Sequence, residues 1–220
     1  MHNLTLVIGN KNYSSWSLRP WLLLKQAGIP FREQFIPIRG TNWNTQIRDL
    51  SPSGKVPALM HGDVRVWDSL AICEYLAECF PEKQLWPTAA AARAEARSVS
   101  AEMHSGFMGL RQNMFMNIRR RMPNRGRTPE ALADIERIVA IWNSCRARYA
   151  AGGPFLFGAF SVADAMYAPI ALRFETYAVL TDGAASDYAR TLLALPALQE
   201  WVVAAHAEKE QLAHYEPTNA

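Results

Sequence analysis

Two short segments about ten residues apart carry groups suited to holding a small charged molecule: Lys55-Val56-Pro57-Ala58-Leu59, then Trp67-Asp68-Ser69-Leu70-Ala71-Ile72. The first is an extended stretch broken by a proline. The second is an acid-hydroxyl pair followed at once by a helical apolar pattern. An upturned backbone edge beside a helix N-terminus suits a peptide-like anion: backbone pairing holds its middle, and N–H groups hold a carboxylate. Each segment alone has a plainer reading. Val56-Pro57 would be a proline ending an edge strand, since a generic X-Pro bond is cis in only about 5–6% of cases. Asp68-Ser69 would be a simple helix cap.

The elements that position these residues follow from local patterns. Leu4 to Ile8 is apolar and β-rich and reads as a first strand. Arg19 to Ala27 carries Trp21, Leu22, Leu23 and Leu24 and closes on Gly28, as a helix does. Pro20 lacks an N–H and costs little only in a first turn, which predicts a cap near Trp16 or Ser17, with Ser14 just ahead of it. Phe31 to Ile36 reads as a second strand. Residues 57–60 and 64–67 flank a hairpin turn at His61-Gly62-Asp63. From Asp68 to Phe80, Leu70, Cys73, Leu76, Ala77 and Phe80 share one helical face. After Pro81 and Pro87 the pattern is helical throughout. Thr88 can cap a long helix reaching about Asn117. Thr128-Pro129-Glu130 orders a cap, a first-turn proline and an early acid, and Gly152-Gly153 stops the helix that follows. Ser161-Val162-Ala163-Asp164 is a capping box with Asp in place of the usual Glu, opening a helix that Pro169 should bend. Pro196 to Ala207 is a last helix. The expected organisation is a mixed domain over 1–80, a linker, and an all-helical domain over 88–215.

Composition narrows the function classes. The chain has 220 residues, half of them apolar, and a formal charge of +3, too little to argue for nucleic acid. Arg119-Arg120-Arg121, with Arg125 and Arg127, lies among Pro123 and Gly126 and reads as a solvated loop. Cys73, Cys79 and Cys145 form no C-x-x-C spacing, which favours a reducing, cytoplasmic setting and no metal. With no secretory pattern and no apolar run of 18 residues, no membrane span is expected.

Taken together, Val56-Pro57, Asp68-Ser69 with its helix, the mixed-then-helical layout and Phe160-Ser161-Val162-Ala163-Asp164-Ala165 resemble the cytosolic glutathione S-transferase family. Tyr13-Ser14-Ser15-Trp16-Ser17-Leu18-Arg19 looks like the serine motif of its zeta-like branch. The resemblance implies an α+β, thioredoxin-like first domain followed by an all-α domain, usually in a homodimer. Glutathione would be the co-substrate and a small electrophile its partner. It implies that Ser14, with Ser15 the alternative, donates a hydrogen bond to the glutathione sulfur. A thiol of pKa about 8.5 is only slightly ionised at neutral pH, and the thiolate is the nucleophile. One charge-assisted hydrogen bond of roughly 1.5–3 kcal/mol can lower that pKa by one or two units.

The same resemblance gives roles to the two opening segments. A cis Val56-Pro57 would turn Val56 N–H and C=O toward glutathione's cysteine. Ser69 and nearby N–H groups would hold the γ-glutamyl carboxylate, Asp68 its ammonium, and Lys55 the glycine carboxylate. His104, Met108, Arg111 and Phe115, spaced 4, 3 and 4 on the expected long helix, would share one face against the second substrate. Trp16 stands where zeta-like enzymes carry Cys, so a large ring would reshape that pocket. Three activities fit: thiolate transfer to electrophiles for detoxification, cis–trans isomerisation, and glutathione peroxidation. A non-catalytic glutathione-binding stress protein is the rival outside enzymes.

Overall fold

In the computed structural model, which describes residues 3–40, 42–180 and 182–216, four strands are interspersed with helices up to Trp67 and only helical elements follow. Of the expected units 1–80 and 88–215, residues 1, 2, 41 and 181 lie outside the described residues. The strands are β1 (Leu4–Ile8), β2 (Arg32–Phe35), β3 (Ala58–His61) and β4 (Val64–Trp67), ordered β2-β1-β3-β4. The β1–β2 pair is parallel; β1–β3 and β3–β4 are antiparallel. The turn after β3 is Gly62-Asp63 alone, because His61 pairs with Val64. Gly62 takes φ +59, which glycine adopts without the Cβ penalty.

Strand alternation explains how β1 sits between two layers. Leu4, Leu6 and Ile8 face the main core, while Val7 joins Ile36, Ile47 and Ala58 on the opposite face. Helices α1 (Ser15–Gln26) and α3 (Ser69–Cys79) cover the first face. Helix α2 (Trp43–Leu50) covers the second through Ile47.

The remaining helices are α4 (Ala90–Ser105), α5 (Met108–Asn113), α6 (Pro129–Tyr149), α7 (Val162–Thr176), α8 (Ala184–Leu193) and α9 (Pro196–Ala207). In α7 every residue except Glu175 is buried, as expected of a helix apolar on all sides. It packs against α1, α4 and α8 and so joins the sheet to the helical unit. The helix runs through Pro169 without interruption. Helix α8 corresponds to none of the elements expected from the sequence.

The long helix from Thr88 to Asn117 does not form. Ala89, not Thr88, stands at the N-cap of α4, and the helix stops at Ser105. Gly106 follows, a poor helix former, and Phe107 takes a left-handed φ of +62. Two carbonyls at this break are satisfied across it. Arg111 donates to Gly106 O at 2.9 Å and to Met103 O. A guanidinium at a helix C-terminus also complements the helix dipole. Helix α5 then docks on α6, with Leu110 N–H donating to Asp134 Oδ2 at 2.8 Å.

The Ser161–Asp164 capping box forms. Asp164 Oδ2 accepts from Ser161 N–H (2.8 Å) and Ser161 O–H (3.1 Å). Its other oxygen accepts from Leu156 N–H (3.0 Å) and Tyr188 O–H (3.0 Å). One carboxylate thus ties the α7 N-terminus, the loop before it and α8. Among the described residues no helix is long and apolar enough to cross a membrane, and no group of three His, Cys, Asp or Glu side chains could hold a metal.

Candidate functional site

The site is built where the N-terminus of α1 meets α7 and the segment after α5. Ser14 is the N-cap of α1 and Ser15 its first residue, so the cap expected near Trp16 or Ser17 lies earlier in the chain. Pro20 sits inside the helix; the bond it removes is the one to the Trp16 carbonyl, not one of the first turn. Ser14 Oγ accepts from Ser17 N–H (3.2 Å) and donates to Ser17 Oγ (2.7 Å). Ser17 Oγ in turn accepts from Gly9 N–H at 3.1 Å. Gly9 itself is a close approach: a Cβ there would stand 2.6 Å from Ile38 Cγ1 and 3.1 Å from Val56 Cγ2.

A cavity of about 310 Å³ opens over this turn. It is lined by Ser14, Ser15 and Trp16 of that turn, by Lys55 and Val56 ahead of β3, and by Arg111, Phe115 and Arg173 of the helical unit. Tyr13, Trp43 and Tyr215 add aromatic walls. The Val56-Pro57 bond is cis. Among its described lining residues, three are cations and none is an acid.

Behind Trp16 lies a second group of polar residues. Arg19 is fully buried, its guanidinium 4.2 Å from the centre of the Trp16 ring. Arg19 Nη1 donates to Ser69 Oγ at 3.2 Å, while Nε and Nη2 have no hydrogen-bond partner among the described residues. Burial, reinforced by Arg111 and Arg173, pushes the Arg19 guanidinium well below its ordinary pKa. Asp68 is the N-cap of α3, with φ +76, and its Oδ1 accepts from Leu70 N–H (2.9 Å) and Ala71 N–H (3.2 Å). Its Oδ2 lies 2.6 Å from His104 Nε2. Burial raises the Asp68 carboxyl, but the hydrogen bonds from His104, Ala71 and Leu70 together hold it below the usual carboxylate value.

The expected residues therefore fall into three groups. Ser14, Ser15, Trp16, Lys55, Val56, Arg111 and Phe115 line the cavity, with Pro57 following Val56. Asp68, Ser69 and His104 adjoin it behind Trp16, whose ring centre is 5.4 Å from that of His104. Met108 is 53% exposed and absent from the described lining. The shared face of His104, Met108, Arg111 and Phe115 required one uninterrupted helix, and the break at Gly106-Phe107 rotates them apart.

Sequence reasoning passed over Arg19, Trp43, Arg173 and Tyr215. Arg173 carried a readable signal: a lone cation amid Met166, Ile170 and Phe174 cannot face solvent on a helix apolar all round. Tyr215 carried none. It reaches the cavity because the tail folds back. Glu208 accepts from Lys11 N–H and, at 3.0 Å, from Asn12 N–H. Glu216 accepts from Tyr13 O–H at 2.5 Å and from Arg120 Nε at 2.8 Å. Arg119 also donates to the Glu208 and Glu210 carbonyls, so two arginines of the expected solvated loop clamp this tail.

Asp68→Asn isolates the charge of that carboxylate, since an Asn oxygen still caps α3. The half-exposed contact to His104 is weakened, so we expect a small loss of stability, under about 1 kcal/mol. Affinity for an α-amino acid ligand of the site should fall roughly tenfold, read by calorimetry.

A four-stranded mixed sheet with a cis-proline bond ahead of β3, followed by a helical unit, defines a thioredoxin-like domain joined to an all-α domain. Residues 13–79 match the family model "Glutathione S-transferase, N-terminal domain", and residues 89–204 match "Glutathione S-transferase, C-terminal domain". The chain belongs to the glutathione S-transferase family. Among curated relatives, Glutathione S-transferase Z1 of Arabidopsis thaliana is 36% identical over 84 residues, covering 35% of this chain and 37% of that protein. A probable maleylacetoacetate isomerase of Caenorhabditis elegans is 30% identical over 96 residues, 44% of each chain. These matches span less than half the length of either relative. A glutathione transferase homologue from Burkholderia, solved with bound glutathione, superposes with a TM-score of 0.70 at 22% identity, covering 94% of this chain and 100% of that one.

Proposed function

We propose that the protein is a glutathione transferase that binds glutathione across the α1 and α3 N-termini and directs its thiolate at a small electrophile. The observation that carries this reading is the charge of the site. Arg19, Arg111 and Arg173 converge on the Ser14–Trp16 turn, and none of them forms an ion pair among the described residues. Buried cations without counter-charges are costly, and a bound anion offsets that cost. Glutathione supplies two carboxylates and an ionisable sulfur. In this reading Val56 pairs with the tripeptide backbone, and Ser69 with the α3 N–H groups holds the γ-glutamyl carboxylate. Asp68 holds the ammonium and Lys55 the glycine carboxylate. Serine hydroxyls at the start of α1 face the sulfur. The enzyme acts as a homodimer in the cytoplasm, in detoxification. Calorimetry with glutathione tests the reading; absence of uptake by the purified protein removes it.

The second substrate lies against Trp16, Phe115, Tyr215 and Arg111. Arg111→Met keeps an apolar chain of similar length beside Trp16 and removes the guanidinium that lies 4.8 Å from its ring centre. Turnover of anionic electrophiles should fall about tenfold, or roughly 1.4 kcal/mol, with neutral ones nearly unchanged. Equal losses would assign Arg111 to joining α4 and α5 alone.

The second reading is a glutathione-dependent cis–trans isomerase, favoured by the relative named as a probable maleylacetoacetate isomerase. Isomerisation regenerates glutathione, transfer consumes it, and peroxidation releases the disulfide. Following free thiol during turnover separates the three.

A further inference from the structure

Ser14 and Ser15 both border the cavity, but their hydroxyls are not equivalent. Ser14 Oγ is engaged twice by its own helix, accepting from Ser17 N–H and giving its proton to Ser17 Oγ. Ser15 Oγ accepts from Arg173 Nη2 at 3.3 Å. A guanidinium can only donate, so this contact leaves the Ser15 proton available to another acceptor.

Arg173 reaches this point from the opposite domain. It is 4% exposed. Its Nε donates to Met114 O (2.9 Å) and its Nη1 to Pro169 O (3.4 Å). Those partners are neutral. The charged or titratable groups facing it are Arg111 from α5, Tyr177 from the end of α7, Tyr215 from the tail and Arg19 from α1. Burial, with Arg111 adding to it, pushes the Arg173 guanidinium down to about 9. A cation behind a hydroxyl oxygen draws electron density from it and makes its O–H a stronger donor.

We propose that Ser15, rather than Ser14, donates the hydrogen bond that stabilises the thiolate of bound glutathione, and that Arg173 on α7 is the positioning residue that orients and polarises this hydroxyl. The inference rests on glutathione being the ligand of this cavity. The step is an ionisation: the S–H bond breaks, the proton passes to water and the electron pair stays on sulfur. Ser15 keeps its own proton. Thiol activation therefore depends on the docking of α7 against α1, not on the thioredoxin-like domain alone.

The test is ultraviolet titration of the bound thiolate against pH in the full-length protein and in Ser14→Ala, Ser15→Ala, Arg173→Lys and Arg173→Met. S-Methylglutathione, which has no thiol to ionise, reports binding apart from ionisation. In Ser15→Ala and Arg173→Met the half-ionisation pH should rise by about one unit, a tenfold loss of thiolate at a given pH below it. Arg173→Lys should recover part of the shift, and Ser14→Ala should show almost none. S-Methylglutathione affinity should stay within about threefold of wild type in the two serine variants, and in Arg173→Met it should fall less than the thiolate fraction does. The assignment is overturned if Ser14→Ala carries the shift and Ser15→Ala is silent. Arg173 loses its role if S-methylglutathione binding falls in parallel with ionisation. If Arg173→Met does not fold, the two serine variants and Arg173→Lys still decide. Failure of the wild type to bind glutathione would remove the ligand itself, an outcome separate from either.

Discussion

Asp164→Ala is expected to unfold the helical domain, or to leave it melting far below the wild type. The Asp164 carboxylate is fully buried and accepts four hydrogen bonds, from Leu156, Tyr188 and both the N–H and O–H of Ser161. Removal strands buried donors, each worth about 1–3 kcal/mol when left unpaired. Even with partial relaxation the loss should be on the order of 4 kcal/mol, against a total stability of about 5–15 kcal/mol. Chemical denaturation of wild type and variant measures it; a loss below about 1 kcal/mol would show that water replaces the carboxylate.

The same carboxyl gives a pH dependence. Burial pushes its pKa up to about 6, against the opposing pull of its hydrogen bonds. The folded state then holds a proton that the unfolded chain, at about 3.9, has released. Because the native state binds more protons in this window, stability contributed by Asp164 is greatest below about pH 4 and declines as pH rises toward 6. The wild-type stability slope between pH 4 and 6, minus that of Asp164→Asn, isolates this contribution; a zero or positive difference contradicts it.

Arg19→Met should separate stability from binding. Arg19 is fully buried, bonded to Ser69 Oγ through one nitrogen and, among the described residues, without a hydrogen-bond partner at two others. Replacing a poorly compensated buried charge with an apolar chain of similar length is often neutral or stabilising. The variant should melt at or above the wild-type temperature. Glutathione affinity should nevertheless fall about 10–100-fold, because a hydrogen bond involving a charged group contributes about 1.5–3 kcal/mol. In that account Arg19 polarises Ser69 and supplies positive charge behind the γ-glutamyl carboxylate. A destabilised variant with unchanged affinity would assign Arg19 to packing beneath Trp16.

Features that the chain encodes locally are legible in its sequence. The Thr128-Pro129 start of α6, the Ser161–Asp164 box and the Pro196–Ala207 helix rest on patterns within a few residues, and the β1 run is legible from its own apolar, β-rich composition although its pairing partners are distant. Propensity and capping decide such features, and both are written in consecutive residues. The cis bond at Val56-Pro57 follows from family resemblance, not from propensity.

The composition of the cavity is a different matter. Arg173 meets Ser15 because α7 packs on α1, 158 residues away in sequence. Tyr215 closes over Tyr13 because Glu208 and Glu216 pin the tail to the first loop. His104 reaches Asp68 while Met108 turns to solvent, because one positive φ at Phe107 divides a run whose apolar spacing alone reads as unbroken. The sequence by itself determined most of the elements, α8 and the α4–α5 break excepted, and the three motifs that open the site. Only the tertiary structure decided which distant cations surround it, since long-range packing and a single backbone torsion leave no period in the order of residues.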